Sequence, residues 1–135
     1  MPLLLDTGVL YALADASDAW HARCRDYVSA PGKALIVPVT VIPEVAYLLR
    51  ERLGPREERA FVVALVQDPL RVETATRADL ERCAGLLQKY PQIGFVDASV
   101  VAIAERLGVR TIATTDRRHF GPIRPRHVPA FELVP

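Results

Sequence analysis

The feature that most constrains this chain is its opening run, in which Leu3-Leu4-Leu5 ends abruptly on Asp6-Thr7-Gly8 and the pattern turns helical through Val9-Leu10-Tyr11-Ala12-Leu13. A short continuous apolar run bounded by turn residues fits a strand covered on both faces, as strands of parallel sheets are. In open α/β sheets, ligands bind outside the carboxyl ends of such strands. The run therefore delivers one carboxylate, Asp6, to the edge where a site belongs.

The rest of the sequence repeats this alternation of strand and helix. Asp18 to Ala30 predicts a helix capped by Asp18 and stopped at Pro31-Gly32, and Ala34 to Val39 predicts a strand. Thr40 is expected to begin a helix that runs to Leu53 and closes on Gly54-Pro55, with Pro43 in its first turn, where a missing N–H is harmless. Arg56 to Gln67 forms a further amphipathic helix, Leu70 to Glu73 a short strand, and Thr76 to Tyr90 a helix opened by a box of Thr76 and Asp79. Val96 to Leu107 predicts the last long helix, ended by Gly108, before strands at Val109 to Thr114 and Phe131 to Val134. Such alternation implies right-handed crossovers over a parallel sheet. The expected fold is α/β, a three-layer α/β/α sandwich with a central parallel sheet of four to five strands, in one domain over residues 1–135.

No apolar stretch approaches the roughly 20 residues of a membrane span. Met1-Pro2-Leu3 lacks a basic leader, so a cytoplasmic location with no membrane partner is expected. Cys24 and Cys83 have neither CxxC spacing nor a histidine at zinc-ligand distance and read as plain thiols.

Four acids carry the chemistry. Asp6, Asp97 and Asp116 each also suit a helix cap. Glu44 does not, because it falls one residue beyond the capping-box position, among Val41, Val45, Leu48 and Leu49. An acid buried in such a stretch needs a partner, since desolvating a carboxylate is costly, and that partner is either Arg50 or a cation shared with other acids. Asp6 and Asp116 each end a predicted strand, and Asp97 opens the helix before the second of them. Carboxylates converging there without a lysine repel one another unless divalent cations hold them. Oxygen donors alone select Mg²⁺ or Mn²⁺ over zinc, and ions about 4 Å apart activate the attacking and leaving oxygens of a phosphodiester. The net charge is only +1, yet with four acids committed to cations the remaining surface carries about +5, which suits a polyanion.

The same pieces are similar to a known family. LLLDTGVLYALAD, PVTVIPEVAYLL, FVDASVVAIAERLG, TIATTDRRHF and the closing FELVP, in this order and at this length, resemble the PIN domain, and within it the VapC-type ribonuclease toxins of toxin–antitoxin pairs. The resemblance implies that Asp6, Glu44, Asp97 and Asp116 bind Mg²⁺ or Mn²⁺, with Asp6 and Asp97 as principal ligands. Thr7 and Thr114 match hydroxyl positions that support those ligands or a bound water. It also implies an RNA substrate cut to a 3′-hydroxyl and a 5′-phosphate, a cognate antitoxin partner and a homodimer. Some members carry a further acid after the fourth, where this chain has Arg117, Arg118 and His119.

Arg117, Arg118, Arg124 and Arg126 crowd the end of the chain, where they either grip RNA phosphates or form a solvated basic edge. His21 and His119 are assigned to surface or packing roles. Trp20, Tyr11 and Tyr47 are either base-stacking residues or core filling. A haloacid-dehalogenase-type phosphotransferase also places an Asp after its first strand, but it needs a second Asp where this chain has Gly8. Two alternatives stay open: a non-catalytic RNA-binding or protein-interaction domain on the same fold, and a nuclease acting on DNA structures.

Overall fold

Pro2–Leu5 forms β1 in the computed structural model, which describes residues 1–135. The chain thus starts in the middle of its sheet. It steps outward through β2 (Ala34–Pro38) and β3 (Leu70–Glu73), then returns to the other side of β1 for β4 (Thr111–Ala113) and β5 (Glu132–Val134). The order β3-β2-β1-β4-β5 is parallel throughout, with Leu4 opposite Ile36 on one side and Ile112 on the other. Leu3, Leu4 and Leu5 are at most 1% exposed, as a strand covered on both faces requires. Because the chain reverses direction across the sheet at β1, a crevice opens between the ends of β1 and β4.

Seven helices cover the two faces: α1 (Thr7–Ala14), α2 (His21–Ser29), α3 (Ile42–Leu53), α4 (Pro55–Gln67), α5 (Arg77–Lys89), α6 (Phe95–Leu107) and the short α7 (Arg117–Phe120). Helices α1 to α4 pack on one another, and α5 packs on α6. The sandwich expected from the alternation is therefore the one observed. No helix is long and apolar enough to cross a membrane. Cys24 and Cys83 are buried free thiols.

Local chemistry explains where the boundaries fall. Asp18 does not cap a helix directly; its Oδ1 accepts the N–H of Trp20 at 2.8 Å, closing a turn that delays α2 to His21. Thr40 does not cap α3 either. It lies inside a 3-10 turn, Val39–Val41, after which α3 starts at Ile42. Thr76 and Asp79 do form the expected capping box at α5, and Asp79, 3% exposed, also takes the guanidinium of Arg106 at 3.0 Å. Arg106 reaches Glu73 at the end of β3 as well, so one arginine of α6 ties two elements to its own.

Because Leu4 fills the layer between both helix faces, Leu4→Ala is expected to lower unfolding free energy by about 2–5 kcal/mol. Urea denaturation checks this. A midpoint shift no larger than that of the exposed substitution Arg25→Ala would contradict the central place given to β1.

Candidate active site

Asp6 is the first residue beyond β1 and the N-cap of α1, and its own side chain does not cap that helix. Its backbone N–H extends the pairing with β4 by bonding Ala113 O at 3.0 Å, which fixes it at the crevice. The side chain is 5% exposed; Oδ2 accepts from Thr114 Oγ1 at 2.9 Å, while Oδ1 is buried with no partner at all. Burial pushes this carboxyl up to about 6, against the nearby backbone N–H of Thr7 and the hydrogen bond from Thr114, which pull it down, while repulsion from Asp97 and Glu44 adds to the rise.

Thr114, 0% exposed, holds two acids together. Its hydroxyl donates to Asp6 and accepts the N–H of Asp116 at 2.9 Å. Asp116 caps α7, with Oδ1 accepting the N–H of His119 at 3.2 Å, as the capping alternative anticipated. Its other oxygen faces the imidazole of the same residue: His119 Nδ1 lies 2.8 Å from Asp116 Oδ2 and 3.1 Å from Asp97 Oδ2. One ring nitrogen thus stands between two carboxylates, where a cation would otherwise serve. Asp97 sits in the first turn of α6, and burial holds it above the ordinary carboxylate range, with His119 opposing the shift and Asp116 and Glu44 adding to it.

Glu44 departs from expectation. It is exposed rather than buried, because Val45 and Leu49, both 0% exposed, turn α3 toward the core and Glu44 lies about 100° round the helix from Val45. Arg50 is not its partner, being engaged with Glu58 at 2.9 Å. Its position is set from below. Thr40 Oγ1 lies 2.6 Å from Ser99 Oγ, and Ser99 donates its only hydroxyl hydrogen to Val96 O at 2.6 Å, so Thr40 is the donor in the first contact. The turn leading into Glu44 is thereby fastened to the turn carrying Asp97.

All four acids line one cavity of about 420 Å³, together with Thr7, Gly8, Phe95, Thr115 and His119. No three of the His, Cys, Asp and Glu side chains stand close enough together to hold a metal ion as they are. Their chemistry nonetheless fits one. The donors are carboxylate oxygens, and a buried carboxylate oxygen without a partner is a group that a cation satisfies.

The other sequence candidates fall elsewhere. None of the four C-terminal arginines lines the cavity. Arg117 donates to Pro135 O, Arg124 to Gly121 O, and Arg126 sits in a separate cavity with Arg82, Glu105 and Arg106; Arg118 is exposed on α7. Tyr11 is core, its hydroxyl donating to Asp15 at 2.6 Å, and Trp20 packs against the core under Arg23. Tyr47 is exposed but outside the cavity, and His21 bonds Ala12 O. The sequence reading passed over His119 and Phe95 as site residues. Their offsets, three after Asp116 and two before Asp97, were the available signal.

Residues 3–121 match the family described as PIN domain. The chain is 33% identical to Ribonuclease VapC26 of Mycobacterium tuberculosis, over 98% of this chain and 100% of that protein. Its fold is similar to that of M. tuberculosis VapC20, described as a sarcin–ricin loop cleaving toxin, with a TM-score of 0.79 and 25% identity over 87% of this chain and 92% of that one. VapBC2 from Rickettsia felis, solved with a promoter DNA fragment, shares the fold at a TM-score of 0.71 and 13% identity, over 98% of this chain and 97% of that one.

Two outcomes follow from this geometry. Asp6 binds its proton more tightly folded than unfolded, so its contribution lowers the stability of the metal-free protein as pH rises from about 4 to about 6, and the loss persists above that. Asp6→Asn is expected to stabilise the metal-free protein by about 3 kcal/mol more at pH 8 than at pH 3.5, read from denaturation midpoints; a pH-independent effect would refute the burial argument. A Cβ at Gly8 would stand 2.2 Å from Thr115 Oγ1. Gly8→Ala should therefore cost about 1–3 kcal/mol, and Thr115→Ala added to it should recover most of the loss. Simple additivity of the two would show that this contact is not the cause.

Proposed function

The chain belongs to the PIN-domain family, and from that premise we propose that it is a divalent-metal-dependent endoribonuclease, the toxin of a toxin–antitoxin pair. The observation that carries the reading is the convergence of Asp6, Glu44, Asp97 and Asp116, from four separate segments, on one cavity at the crevice of the sheet. Asp6 and Asp97 are the principal holders of Mg²⁺ or Mn²⁺, and Glu44 and Asp116 complete the set. The cation, when bound, lowers the pKa of water and stabilises charge building on a phosphoryl group. Thr114 keeps Asp6 and Asp116 in register, and the His119 ring nitrogen spans Asp97 and Asp116. Thr7, whose hydroxyl is buried without a partner at the cavity, supports Asp6 or a bound water.

Two of the parallels support the RNA class: one relative is named a ribonuclease, and a structural neighbour is described as cleaving the sarcin–ricin loop. A protein antitoxin that covers the cavity, a homodimeric assembly, a cytoplasmic site of action and a single domain over the chain belong to the same proposal. Arg118 and Arg126 are the exposed C-terminal arginines whose guanidinium groups bond nothing in their own chain, and Arg118, on α7 next to His119, is the better placed for a phosphate contact. The capping role of Asp116 favours the non-catalytic alternative, but it leaves the unpartnered oxygen of Asp6 unexplained.

Purified protein is expected to cleave a sarcin–ricin loop hairpin or total RNA with Mg²⁺ or Mn²⁺ and to stop with EDTA. Asp6→Asn and Asp97→Asn should each reduce cleavage by about 100-fold or more while circular dichroism shows an intact fold. Undiminished cleavage by either variant, or cleavage of DNA alone, would overturn the assignment.

A further inference from the structure

Two aromatic side chains of this chain stand out as largely exposed, Tyr47 and Phe95, and of these Phe95 alone lines the acid cavity. It is 45% exposed. It is also the first residue of α6, two before Asp97, and follows Gly94, beside which there is open space. Nothing in the fold requires a phenyl ring there. The first position of a helix accepts most polar residues, whereas leaving an aromatic ring half in water forfeits much of the benefit of burying it. The ring is instead placed at the mouth of a cavity otherwise lined almost wholly by polar and charged residues.

We propose that Phe95 is a stacking platform for one nucleobase of the RNA, the base adjacent to the phosphodiester held at the acids. This rests on the ribonuclease reading above and specifies how that site holds its substrate. Phe95 and Asp97 lie about 200° apart round α6, yet at its first turn both side chains line the cavity. Ring and carboxylate therefore flank the cavity. A nucleotide whose phosphate lies at Asp97 presents its base to the ring. Single-stranded and looped RNA offers such unstacked bases, and aromatic side chains are the usual surface for them. The platform carries no hydrogen-bonding group, so it orients a nucleotide without selecting among bases; it grips any unpaired base and rejects a stacked duplex.

The test pairs a protein variant with an RNA variant. In an Asp6→Asn background, which keeps the RNA uncut, a fluorescent oligoribonucleotide is titrated in Mg²⁺ with and without Phe95→Ala. The expected result is about tenfold weaker binding with Phe95→Ala and near-normal binding with Phe95→Tyr. A series of oligonucleotides, each lacking one base, should contain one position at which base removal weakens binding and Phe95→Ala then adds no further loss. Equal binding with and without the ring overturns the proposal, as does a loss of the same size on every oligonucleotide. If Phe95→Ala leaves RNA binding intact but abolishes binding of the antitoxin, the ring serves a protein contact and the proposal fails. A wild-type protein that neither binds nor cleaves RNA defeats the ribonuclease reading itself, a result distinct from intact cleavage with an inert Phe95.

Discussion

The structure depends on keeping several carboxylates together at the carboxyl edge of a sheet whose central strand is fully buried. The strand order makes this unavoidable. With β1 in the middle and the chain returning beside it as β4, the residues that follow these two strands face each other across the crevice. Asp6 follows β1 directly, and Asp116 comes three residues after β4, held there by Thr114, the residue that follows the strand and bonds Asp6. Asp6 bears the larger penalty, since it is almost wholly removed from water and one of its oxygens has no partner. Stability alone would not retain such a group, because an apolar or amide side chain there would avoid the desolvation cost. Its presence fits the proposed role of Asp6 in holding a cation.

Around the acids runs a series of neutral or weakly basic links, each joining two of the segments that carry them. Thr114 bridges Asp6 and Asp116, His119 bridges Asp116 and Asp97, and the Thr40–Ser99 pair joins the turn before Glu44 to the turn that holds Asp97. The 3-10 turn contacts both α3 and α6 and lies between them. That hydroxyl pair is therefore the main polar connection across this side of the site. A lysine in the same place would neutralise the acids more strongly, but it would also compete with a divalent cation for them. Hydroxyls and a shared imidazole orient the carboxylates without claiming their full charge.

Much of this was legible in the sequence, and the reasons differ from residue to residue. Leu3 to Asp6 announced a buried strand ending in an acid because burial on both faces leaves no alternation to confuse the pattern. Thr76 and Asp79 announced a helix start because a capping box is local, satisfied within four residues. Glu44 was singled out for a flawed reason, although it does line the cavity with the other three acids. The apolar residues around it suggested burial, but a helix separates neighbours by angle, and the stripe that packs inward excludes it. Thr40 was read as a cap since caps are what threonines before helices do; its actual partner lies 59 positions away, beyond any local rule. His119 and Phe95 owe their places to the meeting of α6 and α7 at one cavity, which only tertiary structure defines.

The arginines show the same limit from the other side. Fifteen of the 17 basic residues are arginine, a composition that suggests phosphate recognition when read alone. Yet several of them are structural. Arg82 makes a forked pair with Glu105 at 2.7 and 3.0 Å, Arg106 joins Asp79 and Glu73, and Arg50 joins Glu58. Forked geometry that suits a phosphate suits a carboxylate equally well, so counting arginines does not separate the two uses. What separates them is engagement. A guanidinium that already holds a carboxylate of its own chain would have to release it before taking a phosphate, and Arg82, 18% exposed, would exchange a nearly dry pair for a wet one. Substrate contacts should therefore be sought among the arginines without partners and the one aromatic ring at the cavity, rather than along the whole basic C-terminal stretch.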